Sequence, residues 1–160
     1  ETQAEMEEPI AWFTDKKSKD KVEIVQFRKD KKPKTFNTIE DLLANISEKD
    51  LESPEKTQFI YSGGDIFPYN SREQWTDSCN LLALKEGVVL GYDRNDKTVE
   101  AFKEKGFAII KVADLLKQFE SGELNPETMK DTLILMPSAE LSRARGGFHC
   151  MSMPLQRDAI

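Results

Sequence analysis

The order of the predicted elements indicates a mixed α/β fold made of two roughly equal units. From residue 79 onward the pattern runs strand, strand, helix, strand, helix, strand. The first part of the chain has a similar rhythm of strand, helix and strand, without a residue-by-residue repeat. The chain has 160 residues, of which 38% are hydrophobic, and this is enough to bury a real core in one soluble domain.

The first predicted unit, residues 10–74, is built around one helix. That helix is predicted over 35–47, because Asn37 or Thr38 can cap it and apolar side chains recur at helical spacing after the cap. The other segments are an apolar patch at 10–13, strands at 22–27 and 59–61, a turn at 62–65 and an irregular loop at 65–77.

The second predicted unit, residues 75–160, alternates strands and helices. Two apolar runs that flank residues 85–87 indicate a hairpin. Asn95 or Asp96 can cap the next helix, and Gly106 ends it as a C-terminal glycine commonly does. The predicted strands are 80–84, 88–92, 107–112 and 132–136, and the predicted helices end at 105 and span 113–120.

The charge balance argues against a surface for nucleic acid or for an anionic membrane. The formal net charge is -6 and the isoelectric point is about 5.0, whereas such surfaces need clustered excess Lys and Arg. Basic clusters occur at residues 16–19 and 28–34. Because they flank a short apolar run, they are interpreted as solvated strand ends.

The two cysteines, Cys79 and Cys150, lie far apart in a sequence without a secretory signal or an apolar run long enough for a membrane span. This usage fits a reducing, cytoplasmic compartment in which disulfides do not normally persist. One histidine and two distant cysteines make no metal-ligand cluster, and no cofactor is predicted. Glu1 is not a methionine and residues 1–8 are polar and acidic, as expected of a fragment of a longer protein.

Residues that could carry chemistry concentrate in the stretch 142–155, SRARGGFHCMSMPL. Cys150 is a candidate nucleophile, because a thiolate can form a covalent intermediate when a cation or base activates it. Arg143 and Arg145 could favour the thiolate, and Arg145 could equally hold a substrate carboxylate with a bidentate fork. Gly146 and Gly147 would let the backbone approach a ligand closely. On spacing alone, a buried and inert cysteine in a terminal strand is the more frequent alternative.

His149, directly before Cys150, is a tempting general base. If residues 149–153 are extended, neighbouring side chains point to opposite faces, and His149 and Cys150 do not share one. A structural role for His149, or one that supports the site without touching the substrate, is therefore the better interpretation.

Other candidates have a structural explanation that is at least as good. Asn80 could point at a ligand, but the polar residues around it also suit a turn before a strand. Cys79 has no basic neighbour and is interpreted as structural. The Gly63-Gly64-Asp65 segment lacks the context of a phosphate-binding loop and is interpreted as a simple turn. Three nearby aromatic residues are assigned to core or loop packing: Phe67, Tyr69 and Trp75.

The stretch 141–154, LSRARGGFHCMSMP, strongly resembles the C-terminal signature of arginine deiminases, which belong to the guanidino-group-modifying superfamily. A second block, WTDSCNLLAL at 75–84 with GVV at 87–89 and GYDRN at 91–95, is similar to the segment upstream of that signature. The resemblance covers residues 61–160 well and the first sixty loosely. Small departures occur where the family usually has glycine or proline, at Ser78, Ala144 and Phe148.

The resemblance implies a five-bladed pseudo-symmetric α/β propeller of ββαβ-type units, of which this chain would supply about two blades. It implies that Cys150 is the nucleophile and that Arg145 clamps the substrate carboxylate. Gly146 and Asn80, candidates from their own chemistry, are predicted to contribute to substrate binding. The family's catalytic histidine belongs to an earlier blade, in a His-Leu-Asp type motif. His149 is the only histidine here, so that base and the guanidinium-binding carboxylates are expected outside this chain.

The function that the resemblance implies is hydrolysis of L-arginine to L-citrulline and ammonia through a covalent Cys-amidino intermediate. This chain alone is expected to be inactive, with a Cys150 thiol that is not activated. Two alternatives stay open: an amidinotransferase or other guanidine hydrolase of the same superfamily, and a non-catalytic guanidino-binding module. The expected partner is a small guanidino substrate, and exposed blade edges would favour homo-oligomers.

Overall fold

The computed structural model describes residues 23–138, 141–144 and 146–156. The chain divides into two compact units, Glu1–Thr57 and Gln58–Ile160. The break therefore lies earlier than the predicted division between residues 74 and 75. The predicted patch at 10–13 and the basic cluster at 16–19 lie outside the described residues.

The first unit contains a small antiparallel sheet and one helix. Strand β1 (Ile24–Gln26) pairs with β2 (Lys34–Phe36), so that Ile24 lies opposite Phe36. Helix α1 (Ile39–Lys49) follows, and the Thr38 hydroxyl caps it by accepting a hydrogen bond from the Asp41 N–H at 3.1 Å. The predicted cap at Thr38 is confirmed. The predicted start at residue 35 was wrong, because residues 34–36 pair with β1 instead.

The second unit begins with segments that the sequence did not reveal. Residues 59–61 form no strand, which contradicts the prediction, and Ser62–Asp65 form a 3-10 turn. Helix α2 (Tyr69–Trp75) occupies much of the loop predicted to be irregular. Its sequence, YNSREQW, has no apolar stripe at helical spacing, so the usual sequence signal for an amphipathic helix is absent.

The rest of the second unit follows the predicted order closely. Antiparallel strands β3 (Leu82–Lys85) and β4 (Val88–Tyr92) form the predicted hairpin. Helix α3 (Asp96–Glu104), strand β5 (Ala108–Lys111), helix α4 (Val112–Ser121) and strand β6 (Thr132–Met136) then follow in sequence. The four strands lie in the order β3-β4-β6-β5, with β6 parallel to both neighbours. The α/β class is confirmed.

The helices α3 and α4 cover opposite faces of this sheet. Along β6, Leu133 and Leu135 pack with Phe102 of α3, whereas Ile134 packs with Leu115 of α4. Successive side chains on a strand point to opposite faces, so this alternation assigns one helix to each face. The central strands are buried on both sides, as expected for parallel strands with helices above and below.

Candidate active site at the edge of the sheet

Three loops meet at one edge of the four-stranded sheet. The parallel strands β4 and β6 end there, with Tyr92 opposite Met136. Strand β3 runs the other way, so the turn that precedes it, residues 77–80, reaches the same edge. The segment after β6 contains the signature residues predicted to carry the chemistry. The sheet register therefore brings together two sequence motifs that lie about seventy residues apart.

The Gly146 peptide is held from both ends. Its N–H donates to the Asp77 carboxylate at 2.9 Å, and its carbonyl accepts from the Tyr92 hydroxyl at 2.8 Å. Gly146 has a φ of 147°, a region that favours glycine. The Phe148 ring packs on the Tyr92 ring, with centroids 4.6 Å apart. These contacts fix the start of the loop that carries Cys150.

Gly147 packs against the 77–80 turn with no room for a side chain. A Cβ at this position would lie 2.1 Å from the Asn80 carbonyl oxygen and 2.6 Å from the Asn80 Cβ. The close approach seen at Gly147 is to the neighbouring turn, and its predicted close approach to a ligand stays a prediction. The turn itself closes through a 3.1 Å hydrogen bond from the Asn80 N–H to the Asp77 carbonyl.

The Asn80 side chain lies at the candidate nucleophile. Its amide donates to the Cys150 sulfur at 2.8 Å. Cys150 is exposed and lies in a turn over residues 148–151, so the alternative of a buried cysteine in a terminal strand is wrong. The interpretation of Asn80 as a turn residue is confirmed, because its backbone N–H closes the turn, whereas its predicted contact with a ligand stays a prediction. The arrangement places an accessible thiol beside an amide donor.

His149 lies in the same turn and is exposed. The extended geometry assumed for it was wrong, because its carbonyl accepts from both the N–H and the hydroxyl of Ser152, at 3.2 and 2.9 Å. Within the described part of the chain, no hydrogen bond links the His149 imidazole to Cys150. The interpretation of His149 as something other than the general base stays a prediction.

The predicted carboxylate clamp, Arg145, lies outside the described residues. The segment before it is anchored by two contacts to the loop after β4. Arg94 donates to the buried Ser142 hydroxyl at 2.6 Å, and the Ser138 N–H donates to the Asp93 carboxylate at 3.2 Å. Residues before Arg145 in the sequence, and Gly146 directly after it, thus contact residues 92–94.

The sequence analysis did not identify one buried carboxylate, that of Glu73, which links α2 to the start of α3. Glu73 of α2 is fully buried and accepts from the N–H groups of Lys97 and Thr98, at 3.0 and 2.8 Å, in the first turn of α3. It also accepts from the Thr98 hydroxyl at 2.8 Å and pairs with Arg72 at 2.7 Å. A carboxylate is favourable at a helix N terminus because it satisfies otherwise free N–H groups.

Burial by itself would raise the pKa of Glu73, but the hydrogen bonds from Lys97, Thr98 and Arg72 hold that pKa below the usual value of 4.5. The charged form is therefore the one that the fold requires. Nothing in the local sequence distinguishes Glu73 from a solvated glutamate in a polar segment. The signal is tertiary, since its main partners come from α3.

A second buried link joins α2 to the loop after β4. Asn95 is buried, donates to the Thr76 carbonyl at 3.2 Å and accepts from the Thr76 hydroxyl. Since Thr76 directly precedes the 77–80 turn, these contacts fix where that turn begins. Together with Glu73, they position Asp77 and Asn80 for their contacts with the signature loop.

Tyr92 lies where the loops converge. Burial is the main cause that raises its pKa above the ordinary 10.0, and the negative charges of Asp77 and of a Cys150 thiolate raise it further. The phenol therefore stays protonated and donates to Gly146.

The other predicted candidates lie away from the thiol contact. Cys79 is exposed, and its sulfur accepts from the Ser78 hydroxyl at 3.8 Å. The Gly63 N–H donates to the Thr98 hydroxyl at 2.8 Å, which ties the 3-10 turn to α3. Phe67 and Trp75 are 46% and 66% exposed, so neither is a core residue, and the alternative of loop packing stays a prediction for both.

The comparison with known families decides the class of this chain. A family-wide sequence model described as arginine deiminase matches residues 13–157, a range that includes both motifs.

The chain belongs to the arginine deiminase family.

Curated arginine deiminases agree with this assignment. That of Borrelia garinii subsp. bavariensis is 37% identical over 99 residues, which cover 62% of this chain and 18% of the relative. Two from Latilactobacillus sakei are 39% and 40% identical over 110 and 107 residues, covering 69% and 67% of this chain and 21% and 20% of the relatives. The chain thus spans about a fifth of the length of these relatives. No solved structure matches.

The family match includes both the 77–80 turn and the Cys150 loop, so the contact between them lies within the matched region. Among the described residues, no group of three or more His, Cys, Asp or Glu side chains could hold a metal ion. None of the described helices is long and apolar enough to cross a membrane.

Proposed function

We propose that this chain is the C-terminal part of an arginine deiminase catalytic domain and that Cys150 is its nucleophile. The observation that carries the proposal is the contact between the Asn80 amide and the Cys150 sulfur at 2.8 Å. It joins the two family motifs at an exposed thiol, on loops fixed by the Gly146 contacts. The family match supports the reaction class.

In the proposed reaction, the Cys150 thiolate attacks the guanidinium carbon of L-arginine and forms a C–S bond. The C–N bond to one terminal nitrogen breaks, and that nitrogen leaves as ammonia after it takes up a proton. Water then attacks the same carbon, the C–S bond breaks, and L-citrulline leaves with the thiolate restored. Substrate and water together supply all the atoms of citrulline and ammonia, so no cofactor is needed.

Asn80, Gly146 and Arg145 are the proposed substrate-binding residues. The Asn80 amide already lies at the sulfur, where its N–H can stabilise the negative charge of the thiolate before attack and again when the C–S bond breaks. Gly146 is held by Asp77 and Tyr92, so its backbone offers a fixed surface to a ligand. Arg145 is proposed to pair with the substrate carboxylate through its guanidinium fork.

The proton-transfer base and the carboxylates that grip the guanidinium are proposed to lie outside this chain. His149 is its only histidine, and it makes no hydrogen bond to Cys150 among the described residues. We therefore propose that the chain alone does not turn over arginine and that its thiol is not activated. We propose that residues 10–74 and 75–160 form about two blades of a five-bladed propeller in the whole domain. We also propose that the whole protein acts in the cytoplasm.

The test uses two proteins: this chain alone, and a longer protein that includes this chain and is as long as the curated relatives. The longer protein is expected to form citrulline from L-arginine, and Cys150→Ala to lower the rate roughly a thousandfold or more. Cys79→Ala is the matched control, because that thiol is also exposed, and it should keep the rate within about threefold. Full activity of Cys150→Ala would reject the nucleophile.

This chain alone should yield no citrulline above background, and its Cys150 should alkylate slowly at about pH 6. Multiple turnovers, or fast alkylation at that pH, would contradict the proposed division of the site.

An amidinotransferase would transfer the amidino group of labelled arginine to an added amine instead of to water. A non-catalytic module would bind arginine in the longer protein without releasing ammonia.

A further inference from the structure

The first unit contains a basic cleft, and none of the residues that line it belongs to the proposed active site. It lies between the β1–β2 connection and α1, and has a volume of about 340 Å³. The described residues that line it are five cations and two amides: Arg28, Lys31, Lys32, Lys34, Lys49, Gln26 and Asn45. Carboxylates are absent from this lining, although the whole chain carries a net charge of -6.

The cations are held around the cleft by ordinary structural contacts. Arg28 pairs with Asp50 through both of its terminal nitrogens, and Lys49 pairs with Glu48 at 2.7 Å. The Lys34 ammonium lies 4.7 Å from the centre of the Phe36 ring. Lys31 and Lys32 are exposed and make no ion pair with a described residue. The turn lysines therefore supply positive charge that the described carboxylates do not neutralise.

Each of the two amides in the lining lies close in sequence to a cation of the lining. Asn45 and Lys49 are four residues apart on α1 and so lie on one face of that helix. Gln26 is the last residue of β1, Arg28 follows it in the connection to β2, and both line the cleft. A cleft lined by one sign of charge concentrates ions of the opposite sign. Cations from the turn, the strand end and the helix are arranged for a ligand with several negative groups.

We propose that the basic cleft binds a linear chain of two or three phosphate groups, free or as part of a nucleotide. Phosphate oxygens accept charge-assisted hydrogen bonds from ammonium and guanidinium groups, and the amides of Gln26 and Asn45 can add neutral donors. A single small anion would engage only part of a lining that comes from three elements. The site is independent of Cys150 and of the proposed deiminase reaction.

The test is a calorimetric titration of this chain with sodium tripolyphosphate, pyrophosphate, orthophosphate, ATP and AMP at low ionic strength, where exposed charges are least screened. Tripolyphosphate should bind at least about tenfold more tightly than orthophosphate. Equal affinities for ATP and tripolyphosphate would assign the site to the phosphate chain alone, and tighter binding of ATP would add a base contact. Equal affinities for tripolyphosphate and orthophosphate, or no binding, would overturn the proposal.

Two matched triple variants remove the same charge from different places. Lys31→Gln/Lys32→Gln/Lys34→Gln should weaken tripolyphosphate binding about tenfold or more, and the corresponding Lys→Arg triple should retain it. Lys103→Gln/Lys105→Gln/Lys117→Gln, which changes exposed lysines of the second unit, should change the affinity by less than about twofold. Equal losses in both Gln triples would show a general charge effect and refute the cleft.

Discussion

Replacing Gly147 by alanine tests whether the close approach of two loops positions the candidate nucleophile. An alanine Cβ would lie 2.1 Å from the Asn80 carbonyl oxygen and 2.7 Å from the Asn80 Cγ, far inside ordinary contact distance. The loops must therefore separate by roughly 1 Å, and overpacking of this kind costs about 1–3 kcal/mol in the free energy of unfolding. The same movement would lengthen the 2.8 Å contact between the Asn80 amide and the Cys150 sulfur by about as much and so weaken it.

Two measurements on a Cys79→Ser background separate the local effect from the global one. Chemical denaturation gives the change in stability, and the alkylation rate of the remaining thiol reports the surroundings of Cys150. Gly106→Ala is the control, because a Cβ there meets nothing within 4 Å but its φ is +91°. It should cost about 1 kcal/mol from backbone strain and leave the alkylation rate unchanged. If Gly147→Ala changes neither quantity, the inferred role of the close approach is wrong.

Two further predictions concern groups with shifted pKa values. Glu73→Gln should lower the free energy of unfolding at pH 7 by about 2–4 kcal/mol, because it removes the charge that satisfies the start of α3. Since the folded pKa of Glu73 lies below 4.5, its contribution is complete above that pH and is lost as the pH falls through the folded value. Tyr92→Phe should cost about 0.5–1.5 kcal/mol near neutral pH through the lost hydrogen bond to Gly146. The folded pKa of Tyr92 lies above 10.0, so the free energy of unfolding of the parent chain should fall as the pH rises from 10 towards that pKa. The variant has no phenol at this position, so this part of the pH dependence should be absent from it.

Denaturation series at several pH values check both predictions. Glu104→Gln removes an exposed carboxylate of α3 and should change stability by less than about 0.5 kcal/mol. A Glu73→Gln loss no larger than that of this control would show that the buried network contributes little. For Tyr92, identical alkaline unfolding curves for the parent chain and the variant would argue against the raised pKa.

The regular elements of the second unit could be predicted from the sequence because their signals are local. The β3–β4 hairpin has two apolar runs around a short connection that contains Gly87, and that glycine has a φ of +69°. Gly106 follows α3 with its own positive φ, as a C-terminal glycine commonly does. The apolar run at 132–136 became the most buried strand of the sheet.

The failures share a physical cause, which is that contacts distant in sequence decided the local structure. Residues 34–36 pair with β1 instead of starting a helix, and nothing local requires that pairing. Helix α2 has only seven residues and no apolar stripe, so it depends on the buried Glu73 that joins it to α3. The turn at Cys150 replaced the expected extended segment, where Gly146 is held by Asp77 and Tyr92.

The sequence by itself determined the α/β class, the family signature, and Cys150 as the residue to examine. Those conclusions depend on residue types and short spacings, which the chain carries without folding. Only the tertiary structure decided that Asn80 lies at the thiol and that Asp77 and Tyr92 hold Gly146. The reason is the sheet register, because the antiparallel β3 and the parallel β4 and β6 bring loops about seventy residues apart to one edge.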